Sequence, residues 1–357
     1  MELEHGPVQF ITVNGLKYLK QSREALAEYI HCDSDDVVFV PNPSYALNII
    51  AKSLKLEAGD EILSTDLEYG ALDRTWNYYT TKAGSKYVRQ HIELPIVSKE
   101  KIIEDFFKGL SPKTKIIFIS QITSSTALIL PVKEICAIAK QKGLLTIVDG
   151  AHVPGHIDLD LRTLDADIYT GACHKWMLTP KGCSFLYVKK ELQNLFDPLV
   201  VSWGYESAFP SPSQFLDYHQ MQGTRDYSAF LTVPKAIAFL RENNWDQVSA
   251  SCRELVQKNA LRFCELVGAK PLCPVSDEFL GQMFSIPIKP LSAERLQRYL
   301  YQTYNVEIPV MRHDNATYLR YSINAFNSQK DLDRLYMAMK EIIEVTDFIE
   351  VAEQTKS

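Results

Sequence analysis

Short β-branched runs alternate with helix-length amphipathic segments through the first half of the chain, and that alternation restricts the fold more than any other feature. Strand-like runs fall at 37–40 (VVFV), 61–64 (EILS), 86–92 (KYVRQHI) and 115–120 (KIIFIS), then at 144–149 (LLTIVD), 167–170 (DIYT) and 183–188 (CSFLYV). Helical segments at 45–56, 70–82, 99–110 and 132–142 lie between them. Strands separated by helices call for crossover connections, so the spacing predicts βαβ units and a mostly parallel sheet buried on both faces. Beyond about residue 228 the pattern changes. Long helices at 229–241, 245–267, 293–304 and 329–345 accompany two strand-like runs, GQMFSIPI and TYLRYSI. The reading is an α/β chain with a large domain over 1–228, whose N-terminal part also joins the small domain, and a smaller α+β domain over 229–357. The segment 195–215 is a long Pro-, Ser- and aromatic-rich connector. Such connectors in compact enzymes are usually binding or interface loops.

Composition narrows the classes. A chain of 357 residues, 46% hydrophobic and 23% charged, is that of a soluble globular protein with a large core. Its net charge of −6 gives no reason to expect a nucleic-acid partner. The seven cysteines are scattered and never spaced as C-x-x-C, which speaks against a disulfide framework or a metal site and fits a reducing cytoplasm. No apolar run reaches bilayer length, and the start MELEHGPVQF lacks the features of a signal peptide, so neither membrane insertion nor export is expected.

In an open parallel sheet, ligands sit beyond the carboxyl ends of the strands. Four places there carry suitable residues. Pro43 and Ser44 open a helix directly after a strand, where free backbone N–H groups attract an anion; taken alone, Ser44 is as well read as a plain N-cap. Tyr69 follows the strand ending at 64 and either stacks on a planar ligand or packs. Asp149 ends an apolar strand, where a carboxylate needs a cationic or donor partner, and His152 lies three residues on. Last comes TGACHKWMLTP, with His174 and Lys175 in a turn that Trp176 could close. A lysine there is either an exposed charge or a nucleophile activated by desolvation.

Together the four match one chemistry. Pyridoxal phosphate needs an anion cradle, a carboxylate to keep its ring nitrogen protonated, an aromatic on the ring face and a lysine for the Schiff base. A dinucleotide site is excluded, because no G-x-G-x-x-G follows an early strand.

The motifs PNPSYALNII, GDEILSTDLEYGA, VDGAHVPGHIDLDL, HKWMLTPKGCSFLYV, QGTRDYSAF and YLRYSINAFNSQKDLDRL also resemble the class V branch of fold-type-I pyridoxal-phosphate enzymes. The likeness is strongest to its isopenicillin N epimerase-like and cysteine desulfurase-like members. The resemblance implies a fold-type-I architecture, with Lys175 bonding the cofactor, Asp149 pairing with its pyridinium nitrogen and His152 near the ring hydroxyl. It puts Tyr69 on the ring and Pro43, Ser44 and His174 around the phosphate. Thr224 would reach that phosphate from the second subunit of a homodimer, and Arg320 would hold the substrate carboxylate. Ser124 is placed near the ring hydroxyl with Thr123, although Ala127 stands where the family commonly has glycine. Members usually carry a longer N-terminal segment with a glycine-rich turn; this chain opens at MELEHGPVQF. Desulfurases of the family also carry a nucleophilic cysteine before the carboxylate-binding arginine. Here no cysteine follows Cys273, so a persulfide mechanism is not expected, and Cys173 and Cys183 read as small core residues.

The expected activity is therefore chemistry at the α-carbon of an amino acid, epimerase-like, with a class V aminotransferase or a carbon–sulfur lyase as alternatives. A catalytically silent ligand-binding relative is the reading from another class. His156, His219 and His313 carry no signal.

Overall fold

The computed structural model describes residues 2–208, 210–346 and 348–350. Seven strands form the large sheet: β1 (Val37–Val40), β2 (Glu61–Thr65), β3 (Lys86–Gln90), β4 (Thr114–Ser120), β5 (Leu145–Gly150), β6 (Ile168–Ala172) and β7 (Ser184–Val188). Their spatial order is β1-β7-β6-β5-β4-β2-β3. The four pairings from β6 to β3 are parallel, whereas β7 runs antiparallel to both of its neighbours, β6 and β1.

The period-2 geometry of strands sorts the side chains between two cores. Val38 and Val40 join Ile62, Phe118 and Ile147 on one face, beneath the helices Pro43–Ser53 and Gly70–Ala83. Trp76 packs edge-on to Phe118 there, with ring centroids 5.6 Å apart. Val37, Phe39, Ile117, Val148 and Phe185 face the other way, into a core shared with the C-terminal helices. Both faces are thus covered, as a parallel sheet requires.

The smaller sheet is antiparallel, with order β11-β8-β10-β9: β8 (Met283–Pro290), β9 (Val310–His313), β10 (Ala316–Ser322) and β11 (Ile349–Glu350). Helix Trp245–Val267 lies against β8. His313 Nε2 bonds to the Asp66 carbonyl, and Arg89 pairs with Asp314 at 3.1 Å, so the β9–β10 hairpin is pinned to the ends of β2 and β3.

Several local readings are corrected. Helix Gly15–Ile30, buried through Leu19, Leu26, Ala27 and Ile30, was not foreseen; it packs against Val233–Glu242. The helix expected over 229–241 is two, Ser228–Leu231 and Val233–Glu242, because Pro234 sits in the first turn of the second and lacks the N–H a continuous helix would need. The helix expected from residue 45 begins at Pro43, a position where proline's missing donor is harmless, and ends at Ser53.

Candidate active site

The functional side chains gather beyond the carboxyl ends of β4, β5 and β2, with the β6–β7 turn and β10 closing the ring. That turn, residues 173–183, is folded on itself. Both the backbone N–H and Nδ1 of His174 donate to the Cys183 carbonyl, at 3.0 and 2.8 Å, and Lys181 Nζ donates to the His174 carbonyl at 3.0 Å. Lys175 is thereby turned inward. Its Nζ lies 3.1 Å from His152 Nε2. Burial lowers the amine to about 8, and Arg320 and Lys181 push the same way while Asp149 opposes them.

Asp149, at the end of β5, is buried, and burial raises its carboxyl above the ordinary range. Its Oδ1 accepts from the Ala151 amide at 2.9 Å, and no other donor among the described residues reaches the group. Arg320, on β10, donates through Nη1 to the Ser124 carbonyl and, at 3.4 Å, to its hydroxyl, while its buried Nε has no partner among the described residues. Ser124 therefore meets the arginine. Thr123 instead serves the loop itself, through Thr126 at 2.6 Å and the Leu128 amide at 2.9 Å. Ala127 holds φ +59, the left-handed region in which glycine is the easier residue.

At the edge of the ring, Tyr69 caps helix Gly70–Ala83 with 46% of its surface exposed, free to cover a ligand. Asn42, not Ser44, is the N-cap of Pro43–Ser53: its side chain accepts from the Tyr45 amide at 2.9 Å. That overturns the plain-cap alternative, and among the described residues the Ser44 hydroxyl has no partner. Tyr45 OH donates to Gln222 at 3.0 Å, so the segment carrying Thr224 crosses the first turn of the same helix; Thr224 itself is exposed. Arg225 and Asp226, neighbours in sequence, take separate partners. Arg225 bonds Gln222 and the Gln220 carbonyl, and Asp226 caps Ser228.

Two residues not singled out in the sequence, Glu68 and His156, belong to this region, and a third, His219, is buried elsewhere. Glu68 is fully buried and takes the amide and hydroxyl of Ser120 and the hydroxyl of Thr65. Burial carries it up to about 8. His156 donates from Nδ1 to the His152 carbonyl at 2.8 Å and accepts the Gln282 amide at 2.5 Å. Its i+4 spacing from His152 in AHVPGH was the available signal. His219 lies buried in helix Gln214–Gln220, and among the described residues neither of its ring nitrogens has a partner.

Residues 11–335 match the family described as Aminotransferase class-V. The chain belongs to that family. It is 32% identical over 352 residues to the isopenicillin N epimerase of Amycolatopsis lactamdurans, covering 94% of this chain and 88% of the relative. To that of Streptomyces clavuligerus it is 33% identical, over 93% and 86% of the two chains. In three dimensions it superposes on the cystine C-S lyase C-DES, solved with cysteine persulfide, with TM-score 0.81 at 19% identity, over 97% and 91% of the chains. The architecture is that of fold-type-I enzymes, and this family member is a pyridoxal-phosphate-dependent enzyme.

The residues present fit that cofactor. A buried carboxyl with a single donor, a buried amine lowered toward neutrality, an unpartnered guanidinium nitrogen and a helix N-terminus with a free hydroxyl are the donor and acceptor set it needs. Among the described residues no group of His, Cys, Asp and Glu is arranged to hold a metal, and no helix is long and apolar enough to cross a membrane.

Proposed function

We propose that this chain moves a proton at the α-carbon of an amino acid, in the manner of an epimerase. The observation that carries the reading is the contact of Lys175 with His152 inside a ring closed by Asp149 and Arg320. The cofactor, when bound, supplies an electron sink that makes the α-hydrogen acidic. The chain's own residues do the rest.

Lys175 would hold the cofactor, and as an amine near neutrality it suits the role of the base that takes the α-proton. Asp149 holds a proton at the ring nitrogen: its raised carboxyl and scarcity of donors leave it ready for one strong partner. With the cofactor bound, His152 and Ser124 would stand near its ring hydroxyl, Tyr69 would cover the ring, and Pro43, Ser44 and His174 would surround the phosphate. Because Nδ1 of His174 is committed to Cys183, only Nε2 is left for the anion, and a phosphate there would draw a proton onto it. Arg320 anchors the substrate carboxylate through the guanidinium edge that Ser124 does not use.

The division into 1–228 and 229–357, the homodimer in which Thr224 reaches the partner's phosphate, and a cytoplasmic location are parts of the same proposal. The C-DES likeness keeps a carbon–sulfur lyase as the second reading: both begin with loss of the α-proton and differ in whether a β-substituent leaves.

Borohydride reduction followed by peptide mapping tests the assignment. The cofactor should be fixed to Lys175, and Lys175→Ala should carry none; an adduct in that variant overturns it. Incubation with candidate amino acids in deuterated water should then label the α-carbon. Return of the opposite enantiomer supports the epimerase, and a keto acid supports the lyase or an aminotransferase.

A further inference from the structure

Trp176 carries a proton that the mechanism above leaves unused. Its indole Nε1–H donates to Nδ1 of His152 at 3.4 Å, and across the same imidazole Nε2 lies 3.1 Å from Lys175 Nζ. An indole nitrogen can only donate, so Nδ1 of His152 is an acceptor and holds no proton. Burial, aided by Lys175, Arg320 and His156, keeps His152 well below the ordinary histidine range, so the ring is neutral. Its one proton then sits on Nε2 and points at the lysine. Only an uncharged amine offers that N–H a lone pair.

The indole is itself held. The His156 ring lies against it, with centroids 4.2 Å apart and planes inclined by 33°. His156 is fixed at both nitrogens, by the His152 carbonyl and by the Gln282 amide just before β8. Gly155, at φ +79, approaches the Trp176 backbone so closely that a Cβ would lie 2.6 Å from its carbonyl. A strut thus runs from the start of β8 through His156 and Trp176 to His152.

We propose that Trp176 is a positioning residue that fixes His152 as the Nε2–H tautomer, and so holds Lys175 as a free amine whenever it is not bonded to cofactor. The role rests on Lys175 being the reactive amine. Asp149 on β5 favours the ammonium, while Arg320 on β10 and Lys181 in the lysine's own turn oppose it. The His152 tautomer decides the remaining side: an N–H facing the amine disfavours protonation, and a lone pair there would favour it.

Nitrogen-15 NMR of the histidine-labelled holoenzyme, with His152 assigned by difference from His152→Gln, reads the tautomer directly. The wild type should show Nε2–H. Trp176→Phe keeps the ring against His156 but removes the N–H, and should shift His152 toward Nδ1–H. In the same variant the acidic limb of the kcat profile should move up by roughly one pH unit, since the lysine can now donate to His152. An Nδ1–H wild type, or an unchanged tautomer in Trp176→Phe, overturns the proposal. Should Trp176→Phe fail to fold, the wild-type spectrum alone decides. Borohydride mapping of the same samples separates the two readings: cofactor on Lys175 with His152 as Nδ1–H refutes only the strut, and cofactor elsewhere refutes the function beneath it.

Discussion

Ser120 and Asp149 are register partners at the ends of the adjacent parallel strands β4 and β5. Paired residues of neighbouring strands project from the same face, so the two side chains stand side by side. Ser120 gives both its amide and its hydroxyl to Glu68. A second carboxyl is thereby fixed one strand away from Asp149, whose charge adds to burial in raising the affinity of Glu68 for a proton.

Glu68 gives stability a pH dependence. Its native value of about 8 lies above the ordinary 4.5, so between these limits the folded chain binds more protons than the unfolded one. The stability it contributes is full below about pH 4.5 and is lost as pH rises through 8. Glu68→Gln should therefore gain on the wild type by about 2–4 kcal/mol between pH 5 and 8, read from urea unfolding at both. A difference that does not change with pH counts against a protonatable Glu68.

Asp149→Asn should fold normally and lose activity. A charge-assisted hydrogen bond is worth about 1.5–3 kcal/mol, which corresponds to a roughly ten- to hundredfold fall in kcat. Circular dichroism and steady-state kinetics check the pair of outcomes; undiminished turnover removes Asp149 from the mechanism.

Gly155→Ala should lower stability by about 2–4 kcal/mol, because the new methyl meets both a positive φ and the Trp176 carbonyl. Denaturant midpoints at constant slope measure it. Gly182→Ala, at φ +89 but with open space around the added carbon, carries the backbone strain alone and should cost less.

Thr224→Ala should weaken cofactor binding by about 1 kcal/mol, roughly fivefold, if its hydroxyl reaches a phosphate. Light scattering run alongside cofactor titration tests the shared site. A monomer with full affinity is the outcome that removes it.

The sequence by itself determined the order of elements and the main anchors. Short apolar, β-branched runs located all seven strands of the large sheet to within about two residues, and Trp245–Val267, Ala293–Tyr304 and Gln329–Val345 were legible as helices. Lys175 and Asp149 stood out because charged residues beside apolar runs need a partner, whereas Arg320 was marked by the family resemblance alone. Only the tertiary structure decided which partners they found. Strand order is invisible locally, so nothing in VVFV told that β1, the first strand in the chain, would pair antiparallel with β7, the last strand of the large sheet. Helix Gly15–Ile30 is stabilised by a surface 200 residues away, which no window along the chain contains. Glu68 read as an ordinary acidic residue beside a tyrosine until β2 and β4 met and buried it against Ser120. His156 and Trp176 gained their roles the same way: hydrogen bonds and ring contacts depend on distances of a few ångströms between segments that only packing brings together.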